Sequence, residues 1–485
     1  MKAISAYSFC LILAICLAGC KKLVQVSPPT TSLTSGNVYT SNATAAAVLT
    51  GIYTNLSTQS LLSGSDITCL SLAGGLSADE LTLYGGSSNA NTVLTQFYLN
   101  NLTPGLSTSL GTGANVLWSG MYSQIYILNI ALGELAVSNS LTPAVKQQLT
   151  GEAEFMRAFF YFYLVNLYGD VPLTTTSNYT VNAVLARSPQ AAVYQQIITD
   201  LKDAQSLLTE GYVASDAMSA TTERIRPNKW AADALLARVY LYTNDYKDAE
   251  SEADSVIGQA ALYGLDSLNG VFLENSREAI WQLQPVNTGW NTPDAEVFII
   301  PSSGPTSNLP ESGYPVYLSG QLLSSFEAGD LRRVNWVDSV SVANTLYYYP
   351  YKYKSATLNA PVTEYTMVFR LGEQFLIRAE ARAQQNNISG AQADLDALRA
   401  RAGLAGTTAG DVTSLMTAVE HERQVELFTE WGNRWLDLKR TGLLNNVMTN
   451  VAPAKGTTWN SDWQYYPIPL YDITQDPNLV QSPGY

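Results

Sequence analysis

Titratable side chains crowd most densely at residues 420–440, where Glu422, Arg423, Glu426, Glu430, Arg434, Asp437, Lys439 and Arg440 follow one another in a helical pattern. Two carboxylates of such a group could serve as the acid and base of a glycosidase. The signs argue for pairing instead. Glu430 and Arg434 stand at i,i+4 in the favourable order, and mixed charges along one helix make a solvated or mutually paired face. His421 is the single histidine, and no second His, Cys or nucleophile motif accompanies it. No G-x-S-x-G elbow or phosphate loop occurs, and Gly111-Thr112-Gly113-Ala114-Asn115 lacks the third glycine of a dinucleotide loop. No catalytic residue, metal ligand or cofactor is assigned, and the expectation is binding without catalysis.

Binding chemistry is better represented. The chain holds 29 Tyr and 9 Trp, side chains that join a flat apolar body to a polar tip. Sugar rings are recognised by such faces together with amides and carboxylates, set on loops that a rigid scaffold holds. Most of the aromatics are scaffold. Trp118 pairs with Tyr122 at i,i+4, Trp230 opens a helix, Trp281 shares a strand face with Ala279 and Leu283, and Trp431 and Trp435 face inward. The aromatics left in polar loops are the candidates. Trp290 lies between Gly289 and Asn291 in a loop that also holds Asn287 and Asp294. Tyr84 precedes Gly85-Gly86 and stands near Asn89 and Asn91. Tyr314 and Tyr317 flank Pro315-Val316. The expected ligand-binding set is Trp290, Asn291, Tyr84, Asn89, Asn91, Tyr314 and Tyr317.

Helices must hold these loops. Residues 115–137 place Leu117, Met121, Ile125, Leu128, Leu132 and Leu135 along one face. Residues 145–168 form an aromatic-rich helix that stops at Gly169 before Pro172, and 190–209 form another. Residues 226–258 then read as helix, turn and helix. Small residues Ala237 and Ala249 stand twelve apart there, where paired helices must touch. Residues 371–402 repeat the unit with Ala379 and Ala391, and such repeats of about 34 residues are tetratricopeptide-like. The pair 145–168 and 190–209 supplies a third possible unit. Residues 61–113 and 284–366 lack periodicity and read as loop-rich insertions, and a strand at 279–283 precedes the second. A last helix spans 415–440, and an extended tail follows Pro467 and Pro469. The fold class is mostly α: a helical repeat scaffold with large irregular insertions.

The chain has 485 residues, a formal net charge of −14 and only 14% charged residues. An acidic chain is ill suited to gripping nucleic acid phosphates. Residues 1–20 show secretory architecture: Lys2, an apolar run from Phe9 to Leu17, then Leu17-Ala18-Gly19-Cys20, which is similar to a bacterial lipobox. Cys20 is the expected lipidation site, 1–19 the signal peptide and 20–36 a Pro/Ser/Thr-rich tether. With Cys10 and Cys16 removed, Cys69 is the one thiol left unmodified, a small buried hydrophobe that can form no intrachain disulfide.

Several longer stretches carry a family resemblance. Val26–Thr40 precedes the first helix, and Ser77-Ala78-Asp79-Glu80 follows it. Arg157–Leu173 (RAFFYFYLVNLYGDVPL) is the most specific stretch. Arg226–Tyr242, Phe369–Ala383, Glu422–Gly442 and Tyr465–Tyr485 complete the series. Taken in this order the chain resembles the SusD/RagB family of outer-membrane nutrient-binding lipoproteins, nearly end to end. The resemblance implies a SusD-like α/α superhelix, one domain over 37–485, with the repeat scaffold at about 145–260 and 367–440 and ligand-binding regions at about 61–113 and 284–366. It further implies a lipid-anchored protein facing the cell exterior. Such a protein captures oligosaccharides and delivers them to a SusC-like TonB-dependent transporter. Lys21 and Lys22 depart from the acidic residues that often follow the lipid-bearing Cys in surface-exported members. A peptide-binding lid of the same kind of transporter, a surface glycosidase and a purely structural scaffold are the alternatives.

Overall fold

The computed structural model describes residues 35–58, 69–105, 113–286, 289–307 and 313–485. Cys20, the signal peptide and most of the tether lie outside them, as does Asn287.

A stack of helices forms the scaffold. Gly113–Val137 packs on Pro143–Tyr168, which packs on Gln190–Leu207, which in turn meets Lys229–Tyr242 and then Tyr246–Ile257. Leu371–Gln384 continues the stack and carries Ile388–Arg401 and Val412–Glu426 on its other sides. Pro143 opens its helix at a position where the missing N–H costs nothing, and Gly169 closes it with φ +77°. The two clearest repeats turn by the same chemistry. Asn244 and Asn386 adopt φ of 60° and 62°, which a short polar side chain tolerates. The next residues, Asp245 and Asn387, cap the second helix by accepting the N–H of Asp248 and Gly390. Ala237, Ala249, Ala379 and Ala391 are all fully buried at the helix contacts. One continuous cluster of buried side chains runs from Tyr39 to Leu479, with Phe159 against Trp281, Phe369 and Trp431. Trp118, Trp230, Trp281, Trp431 and Trp435 are all buried, and so is Cys69.

Three expectations need correction. The 415–440 helix is two helices, Val412–Glu426 and Asn433–Arg440. Thr429, Trp431 and Gly432 between them all have positive φ, and a Cβ on Gly74 would lie 2.6 Å from the Gly432 Cα. The break lets this backbone dock on the helix Leu70–Ser77, where the Trp431 N–H donates to Ser71 Oγ. The charged face is mutually paired, as one of the two expected readings has it, but it is buried and Glu430 does not pair with Arg434. Glu430 meets Lys352 and Arg370, whereas Arg434 meets Asp79 at 2.8 Å. Finally, the loop-rich regions carry elements of their own. Leu70–Ser77, β1 (Leu81–Leu83) and Thr92–Leu99 lie in the first, and Pro293–Phe298, β3 (Val316–Leu318) and the hairpin β4 (Val337–Val342) and β5 (Thr345–Pro350) in the second.

Each sheet has two antiparallel strands: β1 with β3, β4 with β5, and β2 (Ala279–Leu283) with β6 (Thr366–Arg370). β2 is buried on both faces and its register shifts around Trp281, so its side chains are not divided into an inner and an outer set.

Candidate functional site

The small sheet β1–β3 joins the two insertions. Its burial alternates, so Leu81, Leu83, Val316 and Leu318 point into the core while Thr82 and Tyr317, directly opposite one another, face outward. Pairing continues one residue further, where the Tyr84 N–H donates to Pro315 O at 2.7 Å. The hairpin β4–β5 packs beside β3. Its Tyr347 ring stands edge-on to both earlier tyrosines, 5.9 Å from Tyr84 and 5.2 Å from Tyr317, each at about a right angle. Three half-exposed phenol rings from three separated segments therefore form one arc.

The surrounding turns fix this arc. After Tyr84 the chain reverses through Gly85 and Gly86 at φ +82° and +54°. Asn89 Nδ2 donates to Tyr84 O at 2.7 Å, and its Oδ1 accepts the Asn91 N–H. Asn91 in turn caps Thr92–Leu99 by accepting the N–H groups of Val93 and Leu94. Tyr314 sits in a reciprocal clasp with Thr306: its O accepts the Thr306 N–H at 3.0 Å and its N–H donates to Thr306 Oγ1 at 3.1 Å. On the far side, β5 runs on to Lys352. This buried ammonium donates to the carbonyls of Glu426 and Phe428 at 2.8 Å and to Glu430. Burial lowers its pKa to about 8 despite the Glu430 carboxylate. The tyrosine arc is thereby anchored to the helix break of the scaffold.

The expected residues separate into two groups. Tyr84 and Tyr317 meet, and Tyr314 lies in the clasp close by. Asn89 and Asn91 hold the backbone here, their side-chain oxygens accepting N–H groups. Asn291 holds backbone in the same way. It is buried, its Oδ1 accepts the N–H groups of Thr363 and Glu364, and its Nδ2 donates to Pro361 O. Trp290 is half-buried with its indole hydrogen-bonded to Glu296, and no ring contact joins it to the arc among the described residues. Tyr347 was the residue missed. Val340-Ser341-Val342-Ala343-Asn344-Thr345-Leu346-Tyr347 alternates around a two-residue turn whose Ala343 and Asn344 both take positive φ, a hairpin pattern readable from the residues.

The arc presents aromatic faces and hydroxyls, with no charge among its rings. Burial, then the neighbouring rings of Tyr347 and Tyr84, raises the Tyr317 pKa, so its phenol remains a neutral donor. Such a surface can stack on apolar C–H faces and exchange hydrogen bonds with hydroxyls. His421 is spent elsewhere, with Nε2 2.7 Å from Ser325 O. Among the described residues, no group of three or more His, Cys, Asp or Glu could hold a metal ion, and no helix is long and apolar enough to cross a membrane.

Comparison with known proteins gives a consistent picture. Residues 43–241 match the family model described as "Starch-binding associating with outer membrane", and residues 337–485 match that of the SusD family. SusD-like protein P2 of Formosa agariphila is 25% identical over 98% of each chain, and a SusD-like protein of Bacteroides ovatus is 28% identical over 37% of this chain and 32% of its own. Among solved structures, a SusD superfamily protein from Bacteroides vulgatus superposes with a TM-score of 0.77 at 20% identity, covering 92% of this chain and 99% of its own. A laminarin-binding SusD-like protein gives 0.73 at 25% identity, covering 91% and 99%. Surface glycan-binding protein A from Bacteroides fluxus gives 0.70 at 20% identity, with the same coverages. The helix stack, the insertions clasped to its break and both family matches lead to one assignment: the chain belongs to the SusD/RagB family.

Proposed function

We propose that the protein is a glycan-binding lipoprotein of the outer membrane, anchored through Cys20 and facing the cell exterior. It captures oligosaccharides and passes them to a SusC-like TonB-dependent transporter. The observation that carries the reading is the arc of Tyr84, Tyr317 and Tyr347, three rings held from three segments with their faces free of charge. Tyr314 borders it. The names of two structural neighbours, one laminarin-binding and one a surface glycan-binding protein, support the same ligand class. Acquisition without hydrolysis fits the pairing of the 420–440 charges, which leaves no acid–base couple at the arc.

A polysaccharide and oligosaccharide panel tests this reading. Retardation of the mature protein in at least one glycan-containing gel, with no new reducing ends on incubation, is the expected result. Binding only to peptides would transfer the lid role to a peptide ligand. New reducing ends would make the protein a glycosidase.

A further inference from the structure

A second concavity lies where the helix Gly113–Val137, the segment 172–183 and the C-terminal helix Leu470–Gln475 converge. It is an open groove of about 810 Å³, inside the roughly 300–1,000 Å³ typical of small-ligand sites. None of its lining residues belongs to the tyrosine arc. Its floor is fixed by the fold. Tyr122 OH donates to Pro172 O at 2.8 Å, and Tyr161 OH donates to Thr174 O at 2.8 Å. Asn129 Nδ2 donates to the same Thr174 oxygen, and its Oδ1 accepts from Arg157, which is itself held by Asp200.

The walls carry groups the fold leaves unused. Tyr126 and Tyr179 are 45% and 74% exposed, two aromatic rings bordering one groove. Asp472 is half-buried there, and its carboxylate makes no hydrogen bond or ion pair with the described residues. Burial raises its pKa accordingly. Asn182 is held beside it, its Nδ2 donating to Thr176 O. Asp472 therefore stands on the groove wall as an open acceptor, which suits a ligand that brings donors. Among the described residues no Lys or Arg lines the groove, which disfavours an anionic ligand. A purely apolar ligand would leave Asp472 desolvated and unpaired. A neutral chain of pyranose rings satisfies both demands, with C–H faces on Tyr126 and Tyr179 and hydroxyls donating to Asp472.

We infer that this groove is a second oligosaccharide-binding site, separate from the tyrosine arc. The choice of ligand class rests on the reading of the protein as a glycan binder, whereas the site itself rests on the groove.

Hydrogen–deuterium exchange on the mature protein tests it, with laminarihexaose, maltohexaose, xylohexaose and mannohexaose each supplied at millimolar concentration. Two variants accompany the wild type: Tyr126→Ala with Tyr179→Ala in the groove, and Tyr84→Ala, Tyr317→Ala and Tyr347→Ala in the arc. At least one hexasaccharide should slow exchange across 118–127, 179–183 and 470–476. That protection should persist in the arc variant and vanish in the groove variant, with both variants melting cooperatively. Asp472→Asn, which keeps the shape but weakens the acceptor, should reduce groove affinity about tenfold. Protection at the arc alone overturns the second site and leaves the proposed function standing. Protection at the groove alone supports the second site and removes the arc from the proposed function. The inference also falls if no hexasaccharide protects the groove, if protection there disappears in the arc variant, or if only a purified transporter protein covers it.

Discussion

At the scale of single residues, Asn291 positions backbone, whereas the tyrosines form the proposed recognition surface. Asn291 looks like a ligand contact in sequence because it is polar and follows a loop tryptophan. Folded, its amide satisfies two N–H groups and one carbonyl of the 361–364 segment. Asn291→Ala should therefore lower stability, by about 1–3 kcal/mol for donors stranded in the interior, as read from a denaturant titration. Trp290→Ala should leave glycan affinity nearly unchanged, since the indole is tied to Glu296 and touches no ring of the arc; a titration of that variant checks it. Glu80 offers a test by pH. It is buried and faces Asp79, Arg434, Lys352 and the Thr429 N–H, and burial with the Asp79 charge raises its pKa from 4.5 to about 8. The folded state thus holds a proton that the unfolded chain releases near pH 4.5, so this group costs stability as pH rises toward 8 and nothing below 4.5. Glu80→Gln removes that cost. Its melting temperature relative to wild type should climb across this window and level off above it.

Elements show what a sequence pattern can and cannot carry. The repeats were legible because their turns are local: Asn244-Asp245 and Asn386-Asn387 each supply a positive-φ residue and then a cap, and small alanines mark where helices touch. The core tryptophans were legible from helix positions and, for Trp281, from a strand face. The helix break at 427–432 was not, because its cause is a distant one, the approach of Gly74 to Gly432 across more than 350 residues of chain. Nor did spacing reveal the partners of Glu430 and Arg434, which arrive from Lys352, Arg370 and Asp79. The tyrosine arc was half legible. Composition pointed to Tyr84 and Tyr317 as loop aromatics, but only tertiary packing brings the hairpin ring of Tyr347 between them. Gly432→Ala probes the break directly. A Cβ there would stand 2.8 Å from Leu70 Cγ at a φ of +69°, so a loss of about 1–3 kcal/mol is expected in thermal or denaturant unfolding. Ala237→Phe should cost at least as much by forcing apart Lys229–Tyr242 and its neighbours, whereas Asn359, an exposed loop residue, should tolerate exchange for glycine.

At the scale of the whole molecule, the proposed function makes this acidic, sparsely charged body a lipid-tethered one that offers its neutral aromatic surface to a ligand. The anchor has its own test. Cys20→Ala should release the protein from the membrane fraction, and a variant still processed and retained there would remove the lipid from the account. The central claim is that the tyrosine arc recognises a glycan. Calorimetric titration of the best oligosaccharide from the panel into wild type and into the Tyr84→Ala, Tyr317→Ala, Tyr347→Ala variant tests it most directly, with a thermal melt of both proteins alongside. A loss of at least about 2 kcal/mol, roughly thirtyfold in affinity, with cooperative unfolding retained is the result predicted. Equal affinity in the two proteins would contradict the account.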